Sequence, residues 1–165
     1  MRKIKNLLIL VLAILFAGNV YAASATTSIS GTNTVKVGNT TKIYIKLNAS
    51  DLIEGVDVTY AASGNITVTN ATINSGLTEM VKNGNRYILY APSPIKSGST
   101  ILTLTVKGTK EGTGTITVSK MEATVSGGTV NGGSKSYNIN VKPAKTAEEI
   151  KAEEEAAKKK EEERK

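Results

Sequence analysis

The sequence predicts an all-β chain: an antiparallel β-sandwich of the jelly-roll kind with about nine strands. Three observations predict it. Apolar residues alternate with polar ones in short runs between residues 34 and 142, the period of a strand with one buried face. Clusters rich in Gly and Asn separate those runs, as turns require. Threonine fills many of the polar positions, which suits a pleated, half-wet surface.

The first segment is of another kind. Arg2, Lys3 and Lys5 give a basic start, and Leu7 to Ala17 form an unbroken apolar run. Val20-Tyr21-Ala22 then supplies small residues where a signal peptidase reads. Residues 1–22 are therefore expected to be a secretory signal peptide cut after Ala22. The apolar run is too short for a spanning helix, so no membrane insertion is expected once the signal is removed. This places the protein outside the cytoplasm, secreted or on a bacterial cell surface. Residues 23–33 (ASATTSISGTN) read as a polar leader.

Strands follow over residues 34–142. In Lys42-Ile43-Tyr44-Ile45-Lys46-Leu47 the isoleucines and the leucine face a core and the lysines and Tyr44 face away. The alternation returns in Val56, Val58 and Tyr60, then in Ile66 and Val68, Tyr87 and Leu89, and Leu102, Leu104 and Val106. It closes with Ile116 and Val118 and with Tyr137, Ile139 and Val141. Asn83-Gly84 has the composition of a type I′ hairpin turn, and Pro92 and Pro94 predict that their stretch leaves the sheet. The Gly-rich stretch Ser126 to Ser134 reads as a mobile hairpin loop, since it lacks the Gly-Lys-Ser/Thr end of a phosphate loop.

Residues 143–165 form a charged Ala/Glu/Lys tail expected to be helical. Thr146 with Glu149 makes a capping box, and Glu154–Lys158, Glu155–Lys159 and Glu161–Lys165 are pairs in the favoured order. The tail reads as a solvated spacer or linker. No sorting signal or anchor follows it here, which leaves release and continuation beyond Lys165 both open.

Composition narrows the chemistry. The chain has no cysteine and no histidine, hence no disulfide framework, no thiolate metal site and no imidazole base. Neither a cofactor nor a metal site is expected, and no catalytic residues are assigned. Of the net +7, the first 22 residues carry +3; residues 23–143 hold eleven Lys/Arg against six Asp/Glu, and residues 144–165 seven against eight. The domain's lysines are spread singly, without the clustering that reads nucleic acid, so no nucleic-acid partner is expected. A glycan-binding strip needs exposed planar aromatics. Parity turns Tyr60, Tyr87 and Tyr137 inward, which leaves Tyr44 and Tyr90 as the carbohydrate-binding candidates.

The order of features resembles a cohesin domain over residues 29 to 142. Val35-Lys36-Val37-Gly38-Asn39-Thr40-Thr41-Lys42-Ile43 is similar to the family's opening turn and strand, and NASDLIEGVDVTY (Asn48 to Tyr60) to its loop and central strand. ILTLTVKG followed by GTGTITVSKMEAT is similar to the late strand pair. The resemblance implies a non-catalytic module, related in architecture to some carbohydrate-binding modules. It further implies an extracellular protein partner of dockerin type, in assembly or surface attachment linked to polysaccharide degradation. Cohesins present Asn and Asp side chains from that central strand, where this chain has Ile53 and Gly55; Asp57 and Thr59 share the outward face and are the partner-binding candidates. The alternatives are a carbohydrate-binding module on the same fold, with polysaccharide as partner through Tyr44 and Tyr90, and a structural or adhesive spacer.

Overall fold

The protein, seen here as a computed structural model, is described over residues 23–144 and 146–162. The expected signal peptide (1–22, with its cleavage site at Ala22) lies outside the described residues, as do Lys165 and the side chains of Glu154 and Glu161.

Among the described residues eleven strands form two sheets. The small sheet has the order β1 (Ala25–Gly31), β3 (Thr40–Ala49), β8 (Ser99–Gly108), β5 (Ile66–Ile73). The large sheet has the order β2 (Thr34–Lys36), β11 (Lys135–Lys142), β9 (Gly112–Val125), β4 (Ile53–Gly64), β7 (Arg86–Ile95), β6 (Thr78–Asn83), with β10 (Gly128–Asn131) paired to the end of β9. Among the described residues all strand pairings are antiparallel except β2 with β11, and Val37 adds an isolated parallel bridge to Gly108. The architecture is the expected antiparallel sandwich.

The core lies between the sheets and is made of the alternating residues. Ile43, Ile45, Leu47, Leu102, Leu104 and Val106 of the small sheet are fully buried. Val58, Ile116, Val118, Met121 and Ile139 of the large sheet meet them, equally buried. Each such side chain contributes roughly 1.5–3 kcal/mol through removal from water.

Several local expectations change. Residues 23–33 are not merely a leader, because β1 occupies Ala25–Gly31 and pairs with β3 over seven positions. The tight turn falls on Gly84-Asn85, since Asn83 pairs with Arg86. Gly84 has φ +57° and no non-glycine residue among the described ones has positive φ, which is the pattern of type II′ and not I′. Pro92 and Pro94 stay within β7, but the β4–β7 register jumps from Gly55↔Tyr90 to Ile53↔Ile95, so the residues between drop out of the ladder. The Gly-rich stretch is not a mobile loop: β10 pairs four residues with β9 and buries Val130.

That stretch also closes one seam of the sandwich. The Thr27 amide donates to the Gly132 carbonyl at 2.7 Å, and the Gly132 amide donates to the Met121 carbonyl at 2.7 Å. A Cβ on Gly132 would stand 2.9 Å from both Met121 Cγ and Thr27 Oγ1, so only glycine allows this approach.

The tail forms α1 (Ala147–Glu162). The capping box is made reciprocally: the Thr146 amide donates to Glu149 Oε2 at 3.0 Å, and the Glu149 amide donates to Thr146 Oγ1 at 3.2 Å. No helix among the described residues is long and apolar enough to cross a membrane.

Candidate functional site

The outer face of the large sheet collects the domain's ionic chemistry. Glu54 and Asp57 (β4) and Glu122 (β9) are three of the six acids between residues 23 and 143. Two β-bulges decide which of them reach the outside. In β4 the register shifts between Ile53 and Gly55, so Ile53 and Val56 both point inward and Glu54 and Gly55 share the outer side. In β9 the shift opposite Thr59/Tyr60 leaves Val118 and Met121 inside, with Ser119 and Lys120 outside. Glu54 thus belongs to the strand and faces out, and Ile53 is a core residue and not an outward one.

Asp57 sits at the centre. Arg86 grips it with two hydrogen bonds, Nε to Oδ1 at 3.0 Å and Nη2 to Oδ2 at 2.7 Å. Lys120 Nζ donates to Oδ2 at 2.7 Å from the opposite neighbour strand and lies 3.0 Å from Glu122 Oε2. The Arg86 hydrogen bonds are the main cause that holds the Asp57 carboxyl at about 2; burial opposes them and Lys120 adds to them. Arg86 and Lys120 are both held above their ordinary values, chiefly by their hydrogen bonds to Asp57. An aspartate with three donors already on it neither gives up a proton nor attacks a substrate near neutral pH. It holds Arg86 and Lys120 in place.

Beside this network lies a depression of about 370 Å³. Gly55 forms its floor by having no side chain, with Leu89 O only 3.3 Å from where a Cβ would be. Glu54, Met80, Ile88, Tyr90 and Thr124 stand around it. Met80 is 66 % exposed and Tyr90 49 %, and Val81 beside them is 50 % exposed. Large apolar groups so open to water, next to fixed charges, have the composition of an interface anchor within a polar rim.

The other half of the same face is different. Where β9 pairs with β11, Thr115 Oγ1 donates to Asn138 Oδ1 and the Thr117 and Ser136 hydroxyls bond each other, all at 3.0 Å. It offers no large exposed apolar group, and its charge is confined to one end, where Lys142 of β11 pairs with Lys36 of β2.

The partner-binding candidates Asp57 and Thr59 do come together: they lie two residues apart on the outer side of β4, and Thr59 pairs in register with Arg86 and Lys120. Asp57, however, is turned to its own neighbours. Arg86, Met80, Ile88, Lys120 and Glu122 surround it and were missed. The apolar spacing of three from Val118 to Met121 was the legible sign of the β9 bulge. Strand β6, exposed at all six positions, shows no alternation to read.

The carbohydrate candidates do not come together. Tyr44 lies on the outer face of the small sheet, opposite Ser30 and Thr103, whereas Tyr90 lies on the outer face of the large one. The sandwich separates them, so no single strip holds both. Tyr60 and Tyr87 are buried as expected, with rings stacked at 6.3 Å and Lys82 Nζ 5.1 Å above Tyr87. Burial pushes the Tyr60 hydroxyl up to about 12. Tyr137 is half-buried and donates to the Gly31 carbonyl at 2.6 Å.

No protein-family profile matches the chain, and no curated protein matches it. Among solved structures it is similar to a non-cellulosomal cohesin from the hyperthermophilic archaeon Archaeoglobus fulgidus, at 12 % identity over 74 % of this chain and 94 % of that one, with a TM-score of 0.48. It is also similar to the Reelin-N domain of F-spondin, at 10 % identity over 72 % of this chain and 86 % of that one, with a TM-score of 0.41.

Proposed function

We propose that the protein is an extracellular, non-catalytic binding module that takes a protein partner through the β4–β7–β6 half of the large sheet's outer face. The carrying observation is the apolar depression at Gly55, edged by exposed Met80 and Tyr90 and flanked by the Arg86–Asp57–Lys120–Glu122 network. Aromatic and Met groups around a shallow pocket supply burial on association, and charges held rigidly at its edge supply orientation. The Asp57 carboxylate is already satisfied within the module, so Arg86 (side chain 48 % exposed) and Glu122 are the groups that meet a partner. The cohesin-like order of sequence features supports a partner of dockerin type, in the assembly or surface attachment of polysaccharide-degrading enzymes.

The test is capture from the producing organism's extracellular proteins, with the native protein, Met80→Asp and Arg86→Glu as parallel baits. The expected result is a species with paired calcium loops that is retained by the native protein and lost by both variants. Capture of nothing, or of the same set by all three, overturns the proposal.

A further inference from the structure

The outer face of the small sheet has an independent character. Its four strands carry Lys42, Lys46 and Lys107 and no acidic residue at all. Register puts the three on one side of the sheet. Lys42 pairs with Thr105 and Thr40 with Lys107, so Lys42 and Lys107 are diagonal neighbours about 7–8 Å apart. Lys46 lies four residues along β3 from Lys42, roughly 13 Å. The lysines that look scattered in the sequence thus form one row, and no carboxylate on the same strands neutralises it.

The remaining outward positions are hydroxyls and amides, such as Ser28, Ser30, Thr103 and Asn70, with the half-buried Tyr44 between Lys42 and Lys46. The exposed large apolar residues of the described chain (Leu52, Met80, Val81, Tyr90, Ile150) all lie off this sheet. The face therefore lacks the wedge that would enter a lipid surface. With a single tyrosine it also lacks the successive aromatics on which nucleic-acid bases stack. A row of cations, a flat field of hydrogen-bonding groups and one aromatic ring fit a polymer that is anionic and hydroxylated together.

We propose that the outer face of the small sheet binds an acidic polysaccharide along β3. Lys42, Lys46 and Lys107 pair with its carboxylate or sulfate groups, and Tyr44 lies against a sugar ring. This surface is on the opposite side of the sandwich from the partner-binding face, and neither proposal depends on the other.

The test uses the purified protein on polygalacturonate and heparin, with neutral dextran and duplex DNA as controls. Retention is expected on the two acidic glycans at low salt, lost as salt is raised, and none on dextran. The triple change Lys42→Glu, Lys46→Glu, Lys107→Glu is expected to weaken glycan binding about tenfold or more, while Lys135→Glu, Lys142→Glu, Lys151→Glu, which alters net charge equally, weakens it less than about threefold. The corresponding Lys→Gln triple serves if the reversal unfolds the domain. Tyr44→Ala is expected to lower glycan affinity several-fold and to leave any DNA binding unchanged. Absence of glycan retention, equal loss in the two triple variants, or indifference to Tyr44→Ala overturns the assignment.

Discussion

On the small sheet every charged side chain is a lysine; on the large sheet acids and bases stand side by side, and Asp57, Arg86, Lys120 and Glu122 neutralise one another. The two outer faces share one pleat and one core, yet one is uniform and the other is divided. The large sheet's face has an apolar, ion-paired half at β4–β7–β6 and a hydroxyl and amide half at β9–β11. The difference teaches where specificity is built. Paired charges beside a depression fix one orientation of a partner, whereas unpaired cations on a flat face accept a repetitive polymer in many registers.

The comparison can be broken at its base or sharpened on either side. The largest effect is expected in the core both faces stand on. Leu104→Ala removes a fully buried β8 side chain and should lower unfolding free energy by about 2–5 kcal/mol, measured by urea denaturation. A loss of less than about 1 kcal/mol would mean the sheets are not packed together there.

Asp57→Ala comes next and bears on the large sheet alone. It strands two cations, and a loss of roughly 1–2 kcal/mol at neutral pH is expected. The folded carboxyl, at about 2, lies below its ordinary value of 3.8, so its stabilising contribution is present above about pH 4 and fades as pH falls towards 2. The native protein and the variant should therefore converge in stability across that window. A constant difference down to pH 2 would contradict the ion-pair account.

The smallest effect is expected on the small sheet. Lys107→Gln leaves no partner stranded, because no acid shares its face, and stability should change by less than about 0.5 kcal/mol. A larger loss would show that the lysine row is structural and would weaken its assignment to ligand binding.

Much of the fold was legible because the information is local. The inward sets Ile43-Ile45-Leu47 and Leu102-Leu104-Val106 obey a period of two, and burial follows from it. The capping box needed only Thr146 and Glu149 at the right spacing. Features that break the period were not legible in this way. β6 lies at an edge with both sides in water, so nothing constrains its residues to alternate. Ile53, expected on the outward side with Asp57 and Thr59, turned inward because the β4 register shifts between it and Gly55. The Asn83-Gly84 pair predicted a turn at the right place, but cross-strand pairing set it one residue later.

The sequence alone determined the long central strands and their inward residues, the helix start at Thr146 and the lack of thiol or imidazole chemistry. These depend on residue type and on neighbours a few positions away. The tertiary structure decided what those segments present. It set Tyr44 and Tyr90 on opposite faces, gathered Lys42, Lys46 and Lys107 into one row, and bound Asp57 to Arg86 and Lys120 from two other strands. Each outcome rests on which strand lies beside which, in what register and after how many bulges. Those are contacts between residues far apart in the chain, and a period read along one strand carries no information about its neighbour.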